Sequence, residues 1–550
     1  MSRLRNCCLV SVASVGVFAA PALAQPDTAV SVPGLGTLTF PTSATVPAAE
    51  QAFIRGVLLL HVFEYPTAAA AFRDAERLEP GFALAYWGEA MTFTHPVWDQ
   101  QDTAAGRAAL AKLAATPAAR DAKAPAARER AYLDAMEILY GEGPKARRDT
   151  LYSAAMGRLA AAYPHDDEAQ LFYALSLLGL SQGVRNVPTY LRAAAIAESV
   201  FARNPRHPGA AHYWIHGMDD PEHAAGALPA ARALAGIAPD AGHAQHMTSH
   251  IFVALGMWDD VVAANENATR VVNAARNSRG QGPAYCGHYN LFLDYGLLQQ
   301  GRIEDARRLL EACRSQAAGQ RPGPRDLDPD AYSFVTMWSR YVLDSRRWTG
   351  EVARWNVDPG PAPAPRLSYW FTRGFAAARN GALDSARQAL TSYGQGLDGI
   401  RADVGRGGRP PDPDEREFLA RGEVLRLELV GLLAAAEGNR SEALDTLRRA
   451  TTVEDGMAYA FGPPLVNEPS HELLGEELLT AGQQAAARAE FEAALSRTPG
   501  RTSVLLGFAR AARAAGDSAA AARAFGELAA IWHAADADLP GLAEARHPGR

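Results

Sequence analysis

The chain has 550 residues, 48% hydrophobic and 21% charged, with 54 Lys plus Arg against 61 Asp plus Glu and a formal charge of −7. That apolar content supports an ordinary buried core and excludes disorder of the whole chain, while mild acidity without a Lys/Arg-rich run speaks against a nucleic-acid partner. Four Cys are too few for a disulfide framework, and no apolar run reaches the ~18 residues of a membrane-spanning helix.

The first segment carries the pattern of a signal peptide over residues 1–24. Arg3 and Arg5 precede an apolar stretch from Cys8 to Ala20, and Ala22-Leu23-Ala24 forms a small-x-small site before Gln25. Cleavage after Ala24 predicts a periplasmic or secreted protein with no integral membrane segment. Residues 25–47 are rich in Pro, Thr, Ser and Val, with β-branched alternation around 28–40, and read as an extended leader. Two of the four Cys, Cys286 and Cys313, lie outside the signal segment. In an oxidising compartment they either pair or remain as two buried thiols.

From about Ala48 the chain is Ala, Leu, Arg and Glu at helical spacing, broken by Gly, Asp and Pro. Residues 48–315 form one predicted array and 316–400 a middle section with Pro-rich loops. A Gly/Pro/charged linker at 401–415 leads to a C-terminal array at 416–535 and a tail at 536–550. Self-similarity is clearest near the end: Gly482 and Gly516, Ala487 and Ala521, and Phe491 and Phe525 are each 34 residues apart. A helix ends at Gly, a second begins with small residues, and an aromatic follows at helical spacing. That is the helix–turn–helix grammar of a tetratricopeptide repeat (TPR). It recurs at Phe72, Ala75 and Pro80, at Gly301 and Ala306, at Gly381 and Ala386, and at Gly438 and Ala443. The expectation is an all-α, TPR-like superhelix of helical hairpins (an α-solenoid) with degenerate repeats. Such an array offers a concave groove to a peptide or protein segment.

Eight of the 14 His fall between His207 and His288. His212 and His216 are one helical turn apart, as are His246 and His250, and His243 precedes that second pair on the same face. One intervening helix around 222–236 would place the two pairs side by side in consecutive hairpins. Four imidazoles, His212, His216, His246 and His250, would then converge on one divalent Zn, Cu or Ni ion. His243, His288 and Asp219 are the further ligands or the partners that fix an imidazole tautomer. The bland alternative is a buried His/Asp hydrogen-bond network among Tyr213, Trp214, Phe252 and Trp258.

The stretch from His212 to Trp258, HYWIHGMDD through GHAQHMTSHIFVALGMW, resembles a group of bacterial exported TPR proteins with an HxxxH…HxxHxxxH signature. The segments AAFRDAERLEPGFALAYWGEAMTFTHPVW and PPLVNEPSHELLGEELLTAGQ resemble the same group. Thr248 stands where the group's motif has Pro, and the HYN of residues 288–290 replaces HN; the His positions are intact. The resemblance implies the repeat fold and no particular activity.

Elsewhere His61 reads as a core histidine, Tyr86 and Trp87 as core, His95 and Trp98 as a plug between repeats, and His471 as a helix-start residue after Ser470. Glu89 is a buried acid without a named partner. Phosphate-binding, dinucleotide-binding, zinc-protease and nucleophile-elbow motifs are absent from the sequence. Three functions follow as expectations: an exported binding scaffold with a metal-capable His site, a metalloenzyme built on that site, or an interaction adaptor whose histidines are structural.

Overall fold

The computed structural model describes residues 29–181, 184–318, 329–406 and 408–547. The expected signal segment, 1–24, lies outside them. The protein is all-α; the described residues form 25 α-helices and two two-stranded ribbons. Among the described residues no helix is long and apolar enough to cross a membrane.

The helices follow one another as antiparallel hairpins, a TPR-like solenoid. Small residues set the closeness of packing. The Phe491 ring lies where side chains on Gly475 and Gly507 would have to stand, with hypothetical Cβ atoms 2.9 and 2.4 Å from it. Phe72 uses Gly56 and Gly88 in the same way. The aromatic of each unit thus occupies a notch cut by glycines on its neighbours, close packing that a single added methyl would disturb.

Within the expected leader, two short extended strands form a docked hairpin. Val30–Val32 pairs antiparallel with Gly36–Leu38, and its side-chain alternation buries Leu38. Thr37 donates its backbone N–H to the carbonyl of Arg206 and accepts from the Asn204 side chain. Phe40 then enters an aromatic cluster with Phe53, Trp87 and Tyr132. Further along, the Leu383–Gly405 helix runs into the expected linker, and Asp412 caps the Pro413–Ala436 helix with a reciprocal Glu415 bond.

The C-terminal hairpins return onto the N-terminal ones. Trp258 donates its indole N–H to the carbonyl of Gly500 at 2.8 Å, and Trp532 donates to that of Gln299 at 3.1 Å. Gln299 also accepts from the backbone N–H of Thr502. The connector between the Arg440–Asp455 and Ser470–Thr480 helices covers part of the concave wall. Its Phe461 stacks on Tyr190, and its Tyr459 hydroxyl donates to Glu222.

Candidate metal centre

Three short helices supply the histidines, and each is buried along most of its length: Pro208–Gly217, Gly242–Ala254 and His288–Gln299. The first starts with His207 as its cap, whose Nδ1 accepts the N–H of Ala210, and with Pro208 at its first position. It ends at Gly217, where Arg185 donates to the carbonyls of His216 and Gly217 and to Asp220 at 2.6 Å. A cation at a helix C-terminus satisfies the last carbonyls and opposes the helix dipole. The clamp fixes the turn bearing Asp219 and Asp220.

The imidazoles do converge, but not as one group of four. His212, His216 and His243 form one triad, and His246, His250 and His288 form a second. Within each triad, ligand-capable nitrogens lie within 4.8 Å of one another. The triads are neighbours: the rings of His243 and His246 are 6.0 Å apart, and those of His216 and His250 6.2 Å. The expected pairs are thus intact one-turn pairs. The correction is that His243 and His288, expected to be auxiliary, complete one group each. The two pairs are offset along their helices, so that His243, one turn before His246, is the residue that meets His212 and His216.

Hydrogen bonds fix which nitrogen of each ring is free. His212 Nδ1–H donates to the carbonyl of His61 at 2.6 Å. His250 Nδ1–H donates to Asp219 at 2.6 Å, and His246 Nδ1–H donates to the side-chain oxygen of Asn265 at 2.7 Å. Asn265 is oriented for this because its amide nitrogen donates to the Val261 carbonyl. These rings therefore carry their proton on Nδ1 and a lone pair on Nε2. The Nε2 atoms of His246 and His250 face each other at 3.1 Å. With both rings neutral, two lone pairs meet at that distance, a contact relieved by a metal ion between them or by a proton on one ring. In a tetrahedral site with bonds of about 2.0–2.1 Å, neighbouring nitrogens sit about 3.3 Å apart. In the other triad, Nε2 of His212, both ring nitrogens of His216 and Nε2 of His243 are buried without a partner, an arrangement that costs free energy unless a ligand fills it.

Burial also fixes their charge. Desolvation, with repulsion from neighbouring imidazoles, holds His212 down to about 3 and pushes His216, His243 and His246 well below the ordinary histidine range. These four rings are neutral at neutral pH, the form that binds a metal.

Several contributors to this site were not singled out in the sequence. Phe63 lies against His212, His216 and His243 with ring separations of 4.4, 5.8 and 5.4 Å. It sits in the turn after the Pro47–His61 helix with φ +55°, uncommon for a residue of its size. Phe292 lies against His246, His250 and His288 at 4.6, 4.8 and 5.1 Å. Each triad thus rests on one phenyl ring. Neither phenylalanine has a local pattern that marks it, nor does Asn265.

His61 belongs to a separate group with Glu168 and His207. Its Nε2–H donates to one Glu168 oxygen at 2.7 Å, and His207 Nε2–H donates to the other at 2.8 Å. His61 Nδ1 accepts from the Tyr213 hydroxyl at 2.9 Å. Every ring nitrogen here is used, so no lone pair remains for an ion. Although Glu168 is wholly buried, those imidazoles hold its carboxyl down to about 2. The group ties three hairpins together and sets the carbonyl that orients His212. Glu89 has partners after all, Arg73 and Lys112. His471 bridges Asp455 and Glu490.

A cavity of about 460 Å³ opens beside the histidines. His243 from one triad and His288 from the other line it, with Phe63, Tyr65, Trp98 and Tyr289. His95 stacks on Tyr65 at 3.9 Å, and Trp98 is 41% exposed at the mouth. These two residues therefore wall a cavity rather than plug a gap between repeats. A disulfide joins Cys286 to Cys313 and ties down the segment that leads into His288.

No family model matches the chain, and no curated protein matches it. Solved structures similar to it include the human IFIT1 dimer with m7Gppp-AAAA, at 12% identity over 92% of this chain and 89% of that one, with a TM-score of 0.32. The TPR domain of P58(IPK) is 12% identical over 86% and 99%, with a TM-score of 0.21. The APC/C hetero-tetramer Cut9-Hcn1 is 12% identical over 91% and 96%, with a TM-score of 0.27. The superpositions are loose, and the fold class stands on the helical hairpins themselves.

Proposed function

We propose that this protein is an exported metalloprotein that holds up to two divalent transition-metal ions, one on His212, His216 and His243 and one on His246, His250 and His288. Zn, Cu and Ni suit neutral imidazole donors. The observation that carries the reading is the 3.1 Å approach of the Nε2 atoms of His246 and His250, each ring bonded through Nδ1 on its far side, to Asn265 and Asp219. A structural histidine network would put a proton between them. The His61, Glu168 and His207 group does so within the same fold, with every nitrogen paired.

Three protein ligands per ion leave a coordination position open, the arrangement of catalytic rather than structural sites. His243 and His288 border the cavity, so that position is within reach of a small molecule. A metalloenzyme is accordingly favoured over a scaffold with a structural metal. Export is supported by the leader pattern at 1–24 and by the Cys286–Cys313 pair, which suits an oxidising compartment. The scaffold reading retains one observation: a chamber lined by Asp414, Glu417, Arg421 and Arg497 offers charged groups of both signs to an extended peptide.

The test is metal analysis of untagged protein purified without refolding, together with the His216→Ala and His246→Ala variants. Two equivalents in the parent and about one in each variant, with helicity unchanged, is the expected result. A metal-free parent whose variants merely lose stability would overturn the reading.

A further inference from the structure

The cavity beside the triads has two kinds of wall, and together they define a ligand. Tyr65, His95, Trp98 and Tyr289 present ring faces or edges. Such walls favour a flat ring, because offset-stacked and edge-to-face pairs add to the burial of apolar area. Trp98 in particular leaves much of its surface unused at the mouth, where it meets His243 at a ring separation of 5.7 Å and an angle of 65°.

The second wall is polar and unfinished. Asn290 is 4% exposed, and its amide nitrogen donates to the Cys286 carbonyl, which leaves its side-chain oxygen buried without a donor. The Tyr65 hydroxyl and the Thr269 hydroxyl are likewise buried without partners, and so is Nε2 of His243. All four residues line the same cavity. Buried polar atoms without partners are rare in folded proteins and costly where they occur; with His243 given to the metal, three remain on residues that line one space, a place where a polar ligand completes the set. An aliphatic molecule would leave these three unpaired. A highly anionic one would meet the electronegative faces of the aromatic rings and the Glu64 carboxyl.

We infer that this cavity binds a planar monophenol, its ring between Trp98 and Tyr289 and its oxygen directed to the ion held by His212, His216 and His243. The inference rests on the metal reading above. The phenol oxygen is a donor to the metal's open position when deprotonated, and the hydroxyls of Tyr65 and Thr269 are free to hydrogen-bond to it. Asn290 accepts from a second polar substituent on the ring.

The probe is 4-nitrophenol, whose absorption reports coordination and which binds through a single oxygen, so it does not strip the metal as a chelating diol would. Binding is followed by absorption and calorimetry on the full chain, with metal content measured on the same samples. The expected result is saturable binding with a shifted nitrophenolate band. That binding should be lost on removal of the metal and weakened at least about tenfold in Trp98→Ala at unchanged metal content. Trp98 is exposed enough that its removal spares the core, and Thr269→Ala provides a second variant, expected to weaken binding in the same direction. Metal-loaded protein that fails to bind the probe, or binds it equally well without Trp98 and Thr269, overturns the phenol site and leaves the metal centre standing. A metal-free parent overturns both.

Discussion

The Asp219 carboxylate accepts the Nδ1–H of His250 at 2.6 Å, from a turn locked by Arg185 and Asp220. A carboxylate behind an imidazole fixes its tautomer and raises its basicity toward an ion on the opposite nitrogen. Asp219→Asn keeps the shape and removes the charge. It should weaken metal affinity at the His246, His250 and His288 triad by roughly 10–100-fold, measured by competition with a coloured chelator. Unchanged affinity would assign Asp219 to packing alone.

The Glu168 group separates structure from metal chemistry. Glu168→Gln leaves His61 and His207 facing an amide that cannot accept from both. Breaking a buried ionic arrangement of this kind costs about 3–5 kcal/mol. Urea unfolding should show that loss, while metal stoichiometry stays at the parental value. A lost equivalent of metal without a stability change would show that this group ligates.

Acid should destabilise the metal-free protein in a defined window. His212 has a folded value of about 3, against 6.5 for an exposed histidine. Above pH 6.5 neither state is protonated there, and the group has no effect. Below 6.5 the unfolded chain takes up a proton that the folded chain refuses, so stability falls as pH drops towards 3. His216, His243 and His246 shift in the same direction and reinforce the effect. Melting temperature against pH for the metal-free protein checks it. His471 runs the other way: Asp455 and Glu490 raise it, so its contribution is complete below 6.5 and is lost as pH rises through the raised value.

Gly287 holds φ +103° and ψ 176° immediately before His288, a region almost confined to glycine. Gly287→Ala should cost about 1–3 kcal/mol in backbone strain or displace His288. Either outcome lowers metal occupancy at the second triad and leaves His212, His216 and His243 loaded. Opening the disulfide with Cys313→Ser should act in the same direction more weakly, because Cys286 closes the segment only from its upstream side. Metal counting on both variants, with and without His246→Ala, resolves the two triads.

The solenoid was readable because its signals are local: helical spacing, Gly at the turns, and an aromatic opposite small residues such as Phe491 with Gly475 and Gly507. The two one-turn histidine pairs were readable for the same reason. Their division into triads was not, because it depends on how far apart two packed helices lie and on which face of the next helix His288 occupies. Phe63 and the Glu168 group come from distant hairpins and Asn265 from the helix after the His246/His250 pair, and nothing in their neighbours' spacing announces them. The leader was expected to be extended; its short β-branched runs form a hairpin because the array offers Arg206 and Asn204 as partners.

The central claim is that six imidazoles hold metal in two groups of three. X-ray absorption on the untagged, metal-loaded protein tests it most directly. The account predicts about three imidazole nitrogens per ion near 2.0–2.1 Å and a metal–metal distance on the order of 4 Å. An oxygen-only shell without imidazole scattering would contradict it.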